Sequence, residues 1–236
     1  MLELGRDDPR ITGGAVTGSL SVGAEDRWSD IDTSFGVRDD VDPATVLADW
    51  TDVLERELGI LHHWDLRHGP TIYRVFLVPG GLELDIAVTP ASEFGARGPK
   101  FQLQFGEAEE REAASPPSFD ELAGYGWLYA LTGRAAVERG KAWAAEYWIS
   151  AVRDYALALA CLRLGERTDY ARGVDSLPPE VTAPYEEALV GSLGPDDLRR
   201  GLALVTSLFL DEVSQADASL AERLRIGLRE LVTADE

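Results

Sequence analysis

An α+β architecture, with a mixed sheet first and a helical bundle after it, is predicted by three features of the sequence. Short strand-like runs and one well-capped helix interleave over roughly the first hundred residues. Beyond residue 118 the apolar residues recur at helical spacing and nothing reads as a strand. Between the two lies a stretch that turns acidic and then proline-bearing (Gly-Glu-Ala-Glu-Glu-Arg-Glu-Ala-Ala-Ser-Pro-Pro), a composition shift of the kind that marks a domain boundary. The expected division is residues 1–115 and 116–236.

The elements follow in order. Gly14-Ala15-Val16-Thr17 and residues 30–37 are short strand candidates around a loop rich in Gly and Ser. Asp42 as N-cap, Pro43 at the first helical position and Gly59 as the stop predict a helix over residues 43–58, with Leu47, Trp50, Leu54 and Leu58 on one face. Strands are expected at residues 61–66, 71–78 and 82–88, with Pro79-Gly80-Gly81 turning the last two into a hairpin. Ser118 with Glu121 three residues on forms a capping box for a helix to about residue 137. A second helix runs over residues 141–164 and stops at Gly165, and two or three more are expected over residues 179–190 and 195–231.

Composition excludes several functions. With 42 Asp and Glu against 22 Lys and Arg, the net charge of −20 argues against a nucleic-acid partner, which needs clustered cations to release phosphate counterions. Uncharged apolar stretches fall well short of the roughly 18 residues that span a bilayer, and the first residues have no signal-peptide core, so a cytoplasmic protein without a membrane partner is expected. The single cysteine, Cys161, sits in an apolar run and reads as a small core residue. His62 and His63, adjacent on a strand, would face opposite ways and read as structural. Acidic runs at residues 39–42 and 107–112 read as solvated faces.

The chemistry is concentrated in Gly18-Ser19, followed ten residues later by Asp30-Ile31-Asp32. Two residues apart on a strand, Asp30 and Asp32 point to one face while Ile31 points into the core. Paired carboxylates repel unless a divalent cation lies between them. Gly18 permits close backbone approach, and Ser19 offers a hydroxyl and an N–H to a phosphate. In Leu82-Glu83-Leu84-Asp85-Ile86, Asp85 is a third carboxylate facing away from the core, with Glu83 on its side. Such a group suits two Mg²⁺ ions bridging a triphosphate and an attacking hydroxyl.

Gly18-Ser19 with Ser29-Asp30-Ile31-Asp32, and Leu84-Asp85-Ile86 downstream, resembles the DNA polymerase β-type nucleotidyltransferase superfamily. More narrowly, the chain is similar to the small bacterial aminoglycoside and lincosamide nucleotidyltransferases, which pair that domain with a helical bundle. The motif covers residues 13–90, and Arg139-Gly140-Lys141 through Arg153 is similar to a helix pair of that group. The resemblance implies transfer of a nucleoside monophosphate, AMP by preference, from a nucleoside triphosphate to a hydroxyl, with release of pyrophosphate. It implies that Asp30 and Asp32 hold both Mg²⁺ ions, that Asp85 holds the catalytic one, and that Gly18, Ser19, Ser29 and Lys141 meet the nucleotide. The family commonly has an Arg or Lys soon after its Gly-Ser. Here the turn reads Leu20-Ser21-Val22-Gly23, so phosphate charge falls to the metal and to Arg27 or Lys141. About a dozen residues precede the first strand, so the family's leading helix is expected to be short, or the start of the sequence to be late.

Glu146, Ser150 and Arg153 form a polar stripe on the helix over residues 141–164. By likeness to a glutamate in some antibiotic-modifying relatives, Glu146 is expected to orient or deprotonate the acceptor hydroxyl across an acidic cleft. The acceptor is expected to be a small cationic molecule. Nucleotidylation of a protein partner, as in toxin–antitoxin pairs, and an inactive nucleotide-binding scaffold are the alternatives. The helical half has no Arg and His pair of the ribonuclease type, since all three His precede residue 70. Neither the acceptor, the preferred triphosphate nor the oligomeric state is set by the sequence.

Overall fold

The computed structural model describes residues 1–113 and 115–232. Ala114, in the expected linker, and residues 233–236, at the end of the expected helical part, lie outside the described residues. The chain divides into two compact units, Met1–Ala114 and Ser115–Glu236, an α+β arrangement with a mixed sheet first and helices after it.

In the first unit a short helix α1 (Leu2–Asp7) leads into β1 (Ile11–Thr17), and β2 (Ile31–Val37), α2 (Pro43–Leu58), β3 (His62–His68), β4 (Thr71–Val78) and β5 (Leu82–Pro90) follow. The two-residue β6 (Gly95–Ala96), β7 (Phe101–Gly106) and the two-residue β8 (Glu109–Glu110) complete it. The main sheet has the order β3-β4-β5-β2-β1-β7. β2 and β5 run parallel, whereas the other pairs of this sheet are antiparallel.

Local signals set α2. The Asp42 carboxylate accepts from Ala44 N at 2.9 Å, Pro43 occupies the first turn, and Gly59 ends the helix at φ 64°, where a side chain would be strained. Its apolar face buries Val46, Leu47, Trp50 and Leu54 against Phe35, Val37, Ile72, Phe76, Leu84, Ile86 and Val88. Trp50 meets Phe35 edge-on, with centroids 4.9 Å apart, and its indole N–H donates to Asp8 Oδ2. Arg74 also reaches this interface, pairing with Asp65 and donating to Thr51 Oγ1 and the Leu47 carbonyl. Leu58 departs from expectation: it is 43% exposed.

A larger correction concerns β7. Its Phe-Gln-Leu-Gln-Phe alternation is a strand signal, yet no strand is expected between residue 88 and the acidic stretch. Instead Phe101–Gly106 pairs with β1 and closes one edge of the main sheet. Glu109–Glu110 likewise bridges to Gly95–Ala96 while keeping both side chains in solvent.

In the second unit α3 (Phe119–Glu138), α4 (Ala142–Leu164), α5 (Pro179–Glu187), α6 (Pro195–Ala216), α7 (Ala218–Gly227) and α8 (Arg229–Val232) follow one another. The Ser118 hydroxyl caps α3 by accepting from Glu121 N at 3.1 Å. Ala130, Ile149, Val152, Ala156, Cys161, Val205, Phe209 and Val213 fill the core, with Cys161 fully buried. At Gly126 a Cβ would come 2.1 Å from the Phe209 ring, so α3 and α6 touch at a glycine. Within the expected helical range 195–231 the chain breaks at Asp217, whose backbone is extended and whose carboxylate starts α7 by accepting from Leu220 N. Among the described residues no helix is long and apolar enough to cross a membrane.

Phe76 lies fully buried on the strand between the sheet's edge and its acidic strand. Phe76→Ala should therefore lower unfolding free energy by about 3–5 kcal/mol, measured by urea denaturation.

Candidate active site

β1 ends at Thr17, and the chain turns through Gly18 at φ 66°, a left-handed conformation natural to glycine. A Cβ at this position would come 1.9 Å from Asp32 Oδ2. The absent side chain is thus what lets the loop lie against the carboxylate. Ser19 follows, opening the 3-10 turn Leu20–Val22, and the Ser21 hydroxyl ties the loop back by donating to the Gly18 carbonyl at 2.8 Å. Ser19 Oγ is buried and has no hydrogen-bond partner. Buried hydroxyls are ordinarily satisfied, so this one marks a place for a ligand acceptor or donor.

Asp32 and Asp85 are direct neighbours in the parallel register of β2 and β5. Ile31 packs against the α2 core, as do Leu84 and Ile86, so both carboxylates leave from the opposite face. Asp30 lies one residue before β2 rather than on it. Carboxylate oxygens of Asp30, Glu83 and Asp85 lie within 4.8 Å of one another. Glu83 is the member of this trio that the motif reading did not assign to the metal. Its signal was its place two residues before Asp85 on the same face.

Burial pushes Asp85 up to about 7, and the charges of Glu83, Asp32 and Asp30 add to the shift. Its Oδ1 is buried without a hydrogen-bond partner. Several hard oxygen donors, mutually repelling and one of them unsatisfied, are a donor set that fits a divalent cation such as Mg²⁺.

The remaining candidates are less directly placed. The Ser29 hydroxyl accepts from Asp26 N at 2.9 Å and donates to Asp26 Oδ1, so it shapes the turn before Asp30. Arg27 lies on the same loop, its guanidinium 4.0 Å from the Trp28 ring centroid. Lys141 and Glu146 belong to the second unit. Lys141 is exposed at the start of α4, and the Glu146 carboxylate accepts from the Ser150 hydroxyl at 2.7 Å. Arg153, the third member of that stripe, borders a cavity of about 380 Å³ against Leu157, Leu177 and Tyr185. His63 packs against Phe76, with centroids 5.7 Å apart, and its Nδ1 is 3.9 Å from Glu55, consistent with a structural role.

The raised Asp85 carries a stability signature. Between its ordinary value near 3.8 and about 7, the folded state holds a proton that the unfolded state has released. Its contribution to metal-free stability therefore falls as pH rises through that window. Relative to the parent protein, Asp85→Asn should gain stability between pH 5 and pH 8 in the presence of a chelator, read as urea midpoints. A difference independent of pH would mean that Asp85 ionises as an ordinary carboxylate.

No family model matches the chain, and no curated protein does. Among solved structures the chain is similar to an aminoglycoside 6-adenyltransferase from Bacillus subtilis, at 15% identity over 99% of this chain and 96% of that one, with a TM-score of 0.44.

Proposed function

We propose that this protein is a Mg²⁺-dependent nucleotidyltransferase that moves a nucleoside monophosphate, AMP by preference, from a nucleoside triphosphate to a hydroxyl of a small cationic acceptor. The observation that carries this reading is the juxtaposition of Asp32 and Asp85 on neighbouring strands, with Gly18 against Asp32 and both Ser19 Oγ and Asp85 Oδ1 lacking partners. The resemblance of the Gly-Ser and Asp-x-Asp motifs to nucleotidyltransferases agrees with it.

In this reading the loop at Gly18 and Ser19 receives the β- and γ-phosphates, the serine through its hydroxyl and N–H. Asp30, Asp32 and Asp85, joined by Glu83, would hold Mg²⁺, as two ions. Bound there, Mg²⁺ supplies neutralisation of phosphate charge, including that developing on the leaving pyrophosphate. An acceptor oxygen forms the new bond to the α-phosphorus as the bond to pyrophosphate breaks, and a carboxylate of Asp85 or Glu146 takes the hydroxyl proton. Lys141 and Arg27 are the candidate cations for the phosphates. The acid excess of the chain favours an acceptor bearing amines.

The test is transfer of label from α-labelled nucleoside triphosphates, with Mg²⁺, to a panel of aminoglycosides, lincosamides and cell lysate. A labelled small molecule is expected, and a labelled protein band would instead assign a protein acceptor. Asp32→Asn should abolish transfer with the fold intact by circular dichroism. Gly18→Val should strongly reduce nucleotide binding, because its side chain must displace the Asp32 carboxylate. Absence of transfer and of Mg²⁺·ATP binding in the parent protein would overturn the reading. Glu146→Gln should cut acceptor turnover by roughly 10²–10⁴-fold with nucleotide binding unchanged if it is the base. Full turnover in that variant assigns the proton to Asp85.

A further inference from the structure

The face of the sheet that carries the acids does not end with them. Register across the strands continues the row Asp32, Asp85 through Val75 on β4 to Trp64 on β3. One row along, Glu83 is followed by Leu77 and His62, and on the other side Ala87 is followed by Tyr73 and Leu66. Alternation puts all of them opposite α2, since His63 and Asp65 of β3 and Arg74 and Phe76 of β4 reach the α2 side.

Four of these side chains are largely in solvent: Trp64 is 53% exposed, Leu66 46%, Leu77 45% and Tyr73 38%. Exposed apolar side chains scattered singly need no explanation, but a contiguous patch bordering a polar site does. With strands about 4.8 Å apart, Trp64 stands roughly 10 Å from Asp85 and the patch fills the space between.

Resting on the nucleotidyl-transfer reading, we propose that this platform on β3 and β4 is the acceptor subsite, and that the acceptor is an amphipathic amine: a hydroxyl-bearing molecule with an apolar face and a cationic group. Sheet order supports the assignment. Gly18 and Ser19 follow β1, on the β2 side of the acids, while the platform lies on the β4 side. Nucleotide and acceptor would approach the carboxylates from opposite directions, as in-line displacement needs. Trp64 and Tyr73 offer ring faces that attract cations, and Glu83 supplies the opposite charge beside them. A second copy of this chain fits poorly. Docked through the same face, it would set Asp30, Glu83 and Asp85 of each copy toward a like-charged cluster.

The test uses the whole chain and two probes: lincomycin, which joins an alkyl-bearing basic ring to a polyhydroxylated sugar, and kanamycin A, a polyamine without an alkyl face. Each is titrated with and without Mg²⁺·ATP and followed by indole N–H resonances, that of Trp64 being assigned with Trp64→Phe. Lincomycin is expected to bind more tightly than kanamycin A and to shift the Trp64 resonance. Trp64→Ala should weaken lincomycin by about tenfold, Trp64→Phe should retain most of the affinity, and Mg²⁺·ATP affinity should stay within about twofold. Preference for kanamycin A, no lincomycin binding at millimolar concentration, or equal lincomycin affinity in Trp64→Ala overturns the subsite. So does a dimer in sedimentation that Trp64→Ala dissolves, which would make this face a contact between copies. If Mg²⁺·ATP fails to bind while Trp64-dependent lincomycin binding persists, the nucleotidyl-transfer reading falls and the amine platform stands. If Mg²⁺·ATP binds and the lincomycin results fail, only the platform falls.

Discussion

The parallel register between β2 and β5 is the constraint on which the candidate site depends. It sets Asp32 directly beside Asp85 although 52 residues separate them in sequence. A slip of one residue on either strand would turn one carboxylate into the α2 core and bring a Leu or Ile out to replace it. That core is therefore what fixes the acids. Leu84, Ile86 and Val88 on one strand and Phe35 and Val37 on the other are buried against Leu47, Trp50 and Leu54, so the register cannot change without exposing them.

The cost of the arrangement is electrostatic, and it is concentrated on one group. Asp85 lies deepest of the three clustered acids and its burial, with Glu83, Asp32 and Asp30 around it, opposes its ionisation. Asp8 and Asp65 are held the opposite way, by Arg10 and by Arg74, where a cation or N–H faces the charge. The contrast separates acids paired within the fold from an acid that is not. Asp8 joins the loop before β1 to Trp50 of α2, whereas Asp85 Oδ1 touches nothing that can donate to it.

Much of the fold was legible because its signals are local. Asp42, Pro43 and Gly59 delimit α2, and Ser118 and Gly165 mark two later helix ends, through contacts within four residues of each. β7 was obscured because its pairing partner is β1, far away in sequence, and because an acidic stretch follows it directly. Asp217 was not read as a break, since a capping aspartate inside an amphipathic run looks like one more exposed acid. For the site, alternation places Asp32, Asp85 and Glu83 on outer faces, but only the β2–β5 register sets Asp32 beside Asp85. Ser29 is named for the nucleotide by resemblance alone, and the short turn in which its hydroxyl bonds Asp26 has no signal in the motif. Glu146 lies on a helix whose local sequence gives its face and its bond to Ser150, and nothing local to that helix says what ligand it meets.

The order of the main sheet also bears on how such a protein can change over evolutionary time. Carboxylates sit on strands two and three places in from the β3 edge, where each strand is paired on both sides and packed beneath by α2. Trp64 and Leu66 sit on that edge strand with about half of each side chain in water. Replacing an exposed residue of this kind ordinarily changes stability by no more than about 0.5 kcal/mol. In the proposed reading, drift at the rim would redraw what the outer face recognises without disturbing the pairing that aligns the acids, so that selectivity and chemistry would be free to evolve at different rates on one sheet.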